Sequence, residues 1–248
     1  MKNKKSGFTK VSASVLKSLL GEVSLAKIQL PEVFTLTAHT GCEGTKDNSL
    51  DAITVAFVAG ADIVEFDLSF DENGIAVLSH DKPQGNVFTL EQAFELLVLY
   101  KQLKVNIDVK MTDDLKQVAD LAEKYGLRDR IFFTGIIPDF VDAVKTAVPE
   151  IPYYLNKDIE FTRKNDEEYI NGLINEVNEA GAIGLNVNYR NCTRTLVEML
   201  HNNNLKASVW TVNNRFDMKK ALKLGADNIT TRKPTEYKKL IDSVKGAY

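Results

Sequence analysis

A chain of 248 residues with 44% apolar and 26% charged side chains can bury one large core, and its net charge of −3 gives no electrostatic case for nucleic acid, whose binders usually carry a basic face. No apolar run approaches the ~18 residues of a membrane span, and the basic start MKNKKSGFTK leads into no apolar core, so neither a span nor a signal peptide is expected. The two cysteines, Cys42 and Cys192, have neither metal-ligand spacing nor the look of a disulfide framework, which fits a reduced, cytoplasmic protein.

Taken in chain order, residues 8–24 carry an apolar stripe of Val11, Val15, Leu16, Leu19, Leu20 and Val23, the spacing of an amphipathic helix. We divide the chain into an extension, 1–30, and one domain, 31–248, and place this helix across the N-terminal mouth of that domain or on a partner. Eight short runs with strand character come next, at 33–39, 62–70, 104–110, 130–135, 151–156, 182–188, 206–212 and 227–231. Between them lie helical patterns. The first is NSLDAITVAFVAG, stopped by Gly60. TLEQAFELLVLY opens on a Thr89/Gln92 capping box, and TDDLKQVADLAEKYG has acids early and Lys124 late. Further helices fit 138–147, 163–180, 193–203, 214–224 and 235–246. Strict alternation of eight strands and eight helices predicts a (β/α)8 TIM barrel. The rival, a doubly wound open sheet, lacks a glycine-rich fingerprint after its first strand.

Alternation along the strands then assigns faces. In strand two Val64, Phe66 and Leu68 share one face and Glu65, Asp67 and Ser69 the other; in strand three Asn106, Asp108 and Lys110 oppose Val105, Ile107 and Val109. The apolar parity packs on the helices, so the polar parity points into the barrel, where unpaired carboxylates are costly. After strand two, DENG at 71–74 is a turn and IAVLSH returns as a hairpin. Pairing Phe70 with Ile75 sets Glu65 opposite His80, with Cβ atoms ~5 Å apart. His39 ends strand one, so His39, Glu65, Asp67, His80 and Asp108 converge on one sector of the top face.

Glu65, Asp67 and Asp108 are hard oxygen donors suited to one Mg²⁺ or Ca²⁺. Imidazole as a side-chain type changes charge near neutrality, so two histidines, His39 and His80, suit a general base/acid pair beside a bound phosphate. Lys110 is placed to contact phosphate or orient a carboxylate. Without a metal, Lys110 and buried water would have to match the three acids. Trp210, inward at the top of strand seven, either floors a substrate pocket or fills the barrel. His201, at a helix end, is a charge partner for that terminus. The cysteines are packing residues.

The ordered set His39-Thr40-Gly41, Asp47-Asn48-Ser49, Glu65-Phe66-Asp67, His80-Asp81, Asp108-Val109-Lys110, Trp210-Thr211-Val212-Asn213 and Gly225 to Pro234 resembles the glycerophosphodiester phosphodiesterases. The resemblance spans about 33–240. It implies a TIM barrel that hydrolyses a small phosphodiester such as glycerophosphocholine to glycerol 3-phosphate and an alcohol. His39 and His80 would be the acid/base pair, and Glu65, Asp67 and Asp108 would hold one divalent ion. It also implies attack by a neighbouring substrate hydroxyl through a cyclic phosphate. Three departures stand out. Thr40 replaces the phosphate-binding arginine, leaving Lys46, Lys110, Arg190 and Arg232 as substitutes for its charge. Asp108 is shorter than the usual Glu. Only 27 residues separate His80 from Asp108, so an insertion over the site is nearly absent, which implies a more open pocket and a different or bulkier alcohol. Other possibilities are a phospholipase D-like enzyme acting on lysophospholipids, a barrel that binds a phosphorylated metabolite without turnover, and a phosphate-binding isomerase barrel.

Overall fold

The computed structural model describes residues 28–245; the helix expected at 8–24 lies outside them. Among the described residues, nine strands and eight α-helices alternate: β1 (Thr35–Ala38), α1 (Leu50–Val58), β2 (Ile63–Phe70), β3 (Ala76–Leu78), α2 (Leu90–Leu97), β4 (Lys104–Val109), α3 (Leu115–Lys124), β5 (Ile131–Ile136), α4 (Val141–Ala147), β6 (Tyr153–Asn156), α5 (Glu167–Ala180), β7 (Gly184–Asn188), α6 (Arg194–Asn202), β8 (Lys206–Trp210), α7 (Arg215–Leu224), β9 (Asn228–Thr231) and α8 (Pro234–Lys245). The parallel order β1-β9-β8-β7-β6-β5-β4-β2 closes because β1 also pairs with β2, and β3 hangs antiparallel on β2. The fold is the (β/α)8 barrel that the alternation predicted.

Helix ends follow local chemistry. Thr89 and Gln92 form the expected reciprocal cap of α2, with Thr89 N–H donating to Gln92 Oε1 at 2.9 Å and Gln92 N–H to Thr89 Oγ1 at 3.1 Å. Asp114 caps α3 from outside the helix, rather than adding charge within its first turn. Val105, Ile107 and Val109 are buried between sheet and helices, as their parity requires.

The hairpin departs from expectation by one residue. Phe70 pairs with Ala76, Ser69 with Val77 and Leu68 with Leu78. Asp71 and Ile75 close a loop of only three residues, because Asp71 Oδ1 accepts from both Asn73 and Ile75 N–H and Gly74 takes the left-handed conformation (φ 76°). The expected four-residue turn does not form. His80 therefore does not stand opposite Glu65. It lies past the end of β3, and the chain bends to bring it to the barrel mouth.

The barrel interior is polar and cross-linked. Thr134 Oγ1 lies 3.0 Å from both Asn106 Oδ1 and Asp108 Oδ1, Thr37 donates to Asn228, and Asn228 donates to Ser208. Gly135 (φ 76°) brings β5 against β4: a Cβ there would lie 2.5 Å from Val109 O and 2.6 Å from Asp108 Oδ1. Gly135→Ala is accordingly expected to cost ~1–3 kcal/mol of stability in urea denaturation, from crowding alone.

Candidate active site

The upper barrel holds a cavity of about 240 Å³ lined by His39, Glu65, Asp67, His80, Asp108, Lys110 and Trp210, together with Asn106, Thr134, Asn156, Asn186, Thr211 and Thr230. Of the eight residues singled out in the sequence, seven meet there. Thr40 is the exception: it is buried, and its hydroxyl is engaged with Asn48, whose N–H donates to it. Its contribution to the site is instead its backbone N–H, which donates to Glu65 Oε2 at 2.8 Å.

Ligand oxygens of Glu65, Asp67 and Asp108 all lie within 4.8 Å of one another. Glu65 and Asp67 are buried and Asp108 half-buried. Lys110 Nζ bridges two of them, 2.6 Å from Asp108 Oδ2 and 3.2 Å from Asp67 Oδ1. One ammonium against three carboxylates leaves the group short of positive charge. The imbalance registers at Glu65, whose carboxyl is held well above the usual range first by burial, then by repulsion from Asp67 and Asp108. Converging hard donors with too little internal neutralisation fit a divalent cation.

Asn48 takes a part that its sequence motif alone does not disclose. With φ 56° it turns back into the site, donates from Nδ2 to Asp67 Oδ2 at 2.9 Å and accepts from Asp67 N–H at 3.0 Å. It thereby orients a carboxylate of the cation group.

His39 is 23% exposed. Its Nδ1 is 2.8 Å from Thr40 O, which can only accept, so neutral His39 carries its proton on Nδ1 and keeps a lone pair on Nε2. Burial lowers its pKa from the ordinary 6.5, partly opposed by that hydrogen bond and aided by the positive charge of Arg232. The same Nδ1 lies 3.6 Å from Glu65 Oε2, too far for a good hydrogen bond. His80 differs: it is 66% exposed, with Nδ1 3.0 Å from Asp81 Oδ1.

Arg232 is held by Asp47 through Nη1 and Nη2, at 2.5 and 3.1 Å, across 185 residues of sequence. Its charge is felt by His39 and in turn senses Glu65 and Asp67. Of the four cations considered for the missing arginine, Lys110 lines the cavity and Arg232 acts on it electrostatically. The cysteines are packing residues: burial pushes the Cys42 thiol up to about 11 and Cys192 to about 12. His201 sits in the last turn of α6 and also pairs with Asp227 at 2.9 Å.

Comparison with known proteins gives concordant results. The Glycerophosphoryl diester phosphodiesterase family matches residues 82–236, a stretch containing Asp108, Lys110 and Trp210 and beginning just after His80. A glycerophosphodiester phosphodiesterase of Caldanaerobacter subterraneus is 25% identical over 238 residues, covering 79% of this chain and 93% of that protein. A glycerophosphodiester phosphodiesterase of Thermotoga maritima superposes with a TM-score of 0.67 at 20% identity, covering 84% of this chain and 98% of that one. A phosphodiesterase of Oleispira antarctica, solved with the product sn-glycerol-3-phosphate, superposes with a TM-score of 0.71 at 18% identity, covering 88% and 99%. Among the described residues no helix is long and apolar enough to cross a membrane.

Proposed function

The chain belongs to the glycerophosphoryl diester phosphodiesterase family, and on that footing we propose that it hydrolyses glycerophosphodiesters to glycerol 3-phosphate and an alcohol. Glu65, Asp67 and Asp108 would hold one Mg²⁺ or Ca²⁺. The observation that carries this reading is convergence: two imidazoles and three carboxylates, from β1, β2, β4 and the end of the hairpin, line one small cavity. When bound, the cation supplies neutralisation of phosphate oxygens.

The chain's own groups do the rest. His39 is the general base. It is neutral over a wide range because burial disfavours its charge, and Thr40 O leaves Nε2 free to take the proton of the attacking oxygen. His80 is the general acid that returns a proton to the departing alcohol oxygen. Its exposure lets it follow alcohols of different size, and Asp81 holds its Nδ1 side. Lys110 grips a phosphate oxygen. Arg232 adds positive potential that Thr40 cannot, without the paired bonds an arginine at position 40 would make.

The acid limb of the kcat/KM profile is expected below pH 6.5, because burial and Arg232 both lower the His39 pKa. Arg232→Gln removes a charge that lowers that pKa and unpairs Asp47, whose charge raises it, so the limb moves to higher pH. A shift to lower pH would contradict the assignment of His39 as base. The function itself is tested by incubating purified protein and Mg²⁺ or Ca²⁺ with bis-p-nitrophenyl phosphate and a panel of glycerophosphodiesters. Turnover is the expected result. Tight binding without turnover of any diester would favour the non-catalytic phosphometabolite-binding barrel instead.

A further inference from the structure

The loops that follow β6, β7, β8 and β9 are joined into one rim beside the cavity. Thr193 Oγ1 donates to Lys164 O at 3.0 Å, Tyr189 OH donates to Asp217 Oδ2 at 2.7 Å, and Arg232 N–H donates to Asn213 Oδ1 at 2.8 Å. The rim starts at the cavity itself, which Asn156 and Thr211 line.

Two features mark this rim. One is aromatic side chains left in solvent beside a cation. Phe161 is 67% exposed, with Lys164 Nζ 3.9 Å from its ring centroid, and Phe216 is 51% exposed, with Lys220 Nζ at 4.1 Å. Between them the Arg190 guanidinium lies 5.4 Å from the Tyr189 ring. The other feature is charge. Residues 157–166 are balanced, with three cations and three acids, but 189–193, 211–220 and 232–233 hold Arg190, Arg215, Lys219, Lys220, Arg232 and Lys233 against Asp217 alone. Of those six cations only Arg232 forms an ion pair among the described residues, with Asp47. Asp217 is already engaged by Tyr189 and Asn214. The opposite rim, 71–75 and 113–114, carries four acids and no cation. The mouth is therefore polarised, although the whole chain has a net charge of only −3.

An aromatic tip beside a lysine suits the boundary between lipid head groups and acyl chains, where the ring enters and the ammonium stays with phosphate. Cations without carboxylate partners attract anionic head groups. The tips stand on separate loops with cations around them, a layout for a fluid surface rather than for a shaped protein partner. We propose that the rim carrying Phe161, Lys164, Arg190, Phe216 and Lys220 docks on an anionic phospholipid surface, with the mouth toward the lipid and the acidic hairpin rim tilted into water. The docking stands apart from the phosphodiesterase reading, because it needs neither the divalent cation nor turnover.

Full-length protein is sedimented, with EDTA present, with vesicles of phosphatidylcholine alone and of phosphatidylcholine and phosphatidylglycerol at about 7:3. The expected result is partition into the anionic vesicles at least ~10-fold stronger than into the neutral ones, falling as salt rises from about 0.1 M to about 0.5 M. Phe161→Ser/Phe216→Ser and Lys164→Glu/Lys220→Glu each lower that partition at least ~10-fold. Leu99→Ser, at a side chain 72% exposed just past α2 at the other end of the barrel, leaves it unchanged. Melting temperature, and hydrolysis of bis-p-nitrophenyl phosphate without vesicles, are unchanged in both double variants. Equal partition into neutral and anionic vesicles would overturn the proposal. So would undiminished partition in both double variants, which would assign the binding to another part of the chain such as the basic start MKNKKSGFTK. Loss in the lysine pair alone would overturn the entry of the rings and leave only a charged patch. Vesicle binding that depends on the rim in a protein that turns over no diester removes the phosphodiesterase reading and leaves the docking surface standing.

Discussion

EDTA is expected to abolish diester hydrolysis, and Asp67→Asn to lower kcat/KM at least ~100-fold at saturating Mg²⁺ or Ca²⁺. Three carboxylates within 4.8 Å carry more negative charge than Lys110 offsets. That arrangement costs several kcal/mol of desolvation and repulsion unless a further cation joins it. The Asp67 carboxylate is held between Lys110 Nζ and Asn48 Nδ2, and Lys110 also grips Asp108, so its loss disturbs its neighbours in the group.

The same imbalance predicts a stability effect of opposite sign to the activity effect. In metal-free protein the Glu65 pKa lies above its ordinary 4.5, because burial and then Asp67 and Asp108 disfavour its charge. The folded chain then binds the proton more tightly than the unfolded chain. The stability this contributes is fully present below about pH 4.5 and is lost as pH rises toward the folded-state pKa. Glu65→Gln removes that slope. It should raise the neutral-pH melting temperature of the metal-free protein, by ~2–4 °C for each kcal/mol relieved, while abolishing activity. A lower melting temperature in the metal-free variant would show that Glu65 is compensated in some other way.

The second large effect concerns the imidazoles. His39→Ala and His80→Ala are each expected to lower kcat by ~10²–10⁴-fold on a diester with a poor leaving alcohol. The two differ in rescue. His80 is 66% exposed, so its deletion leaves an open space that added imidazole can enter, and partial recovery is expected. His39 is mostly buried and tied to Thr40 O, so imidazole should restore little. A p-nitrophenolate leaving group needs little protonation, so His80→Ala should lose less on bis-p-nitrophenyl phosphate than His39→Ala. Equal losses there would argue against His80 as the acid.

Much of this site is legible in the chain because it depends on local rules. Parity along Ile63–Phe70 and Lys104–Val109 turns Glu65, Asp67 and Asp108 inward, and strand adjacency brings them together. The features that sequence reasoning misses depend on non-local geometry. The hairpin register turns on whether Asp71 pairs with Ile75, a choice settled by two bonds to Asp71 Oδ1. Thr40 occupies a substrate-binding position by its motif, yet its hydroxyl is engaged by Asn48 eight residues on. The Arg232–Asp47 pair spans 185 residues. The signal for Asn48 is present in its motif, but its positive φ and its grip on Asp67 are not.

The most direct measurement is an anomalous difference map from a crystal soaked with Mn²⁺ and glycerol 3-phosphate. A single peak bounded by Glu65, Asp67 and Asp108, with the phosphate lying between that ion and the rings of His39 and His80, is the predicted result. A map without density at the three carboxylates, or with the phosphate bound away from both histidines, would contradict the account.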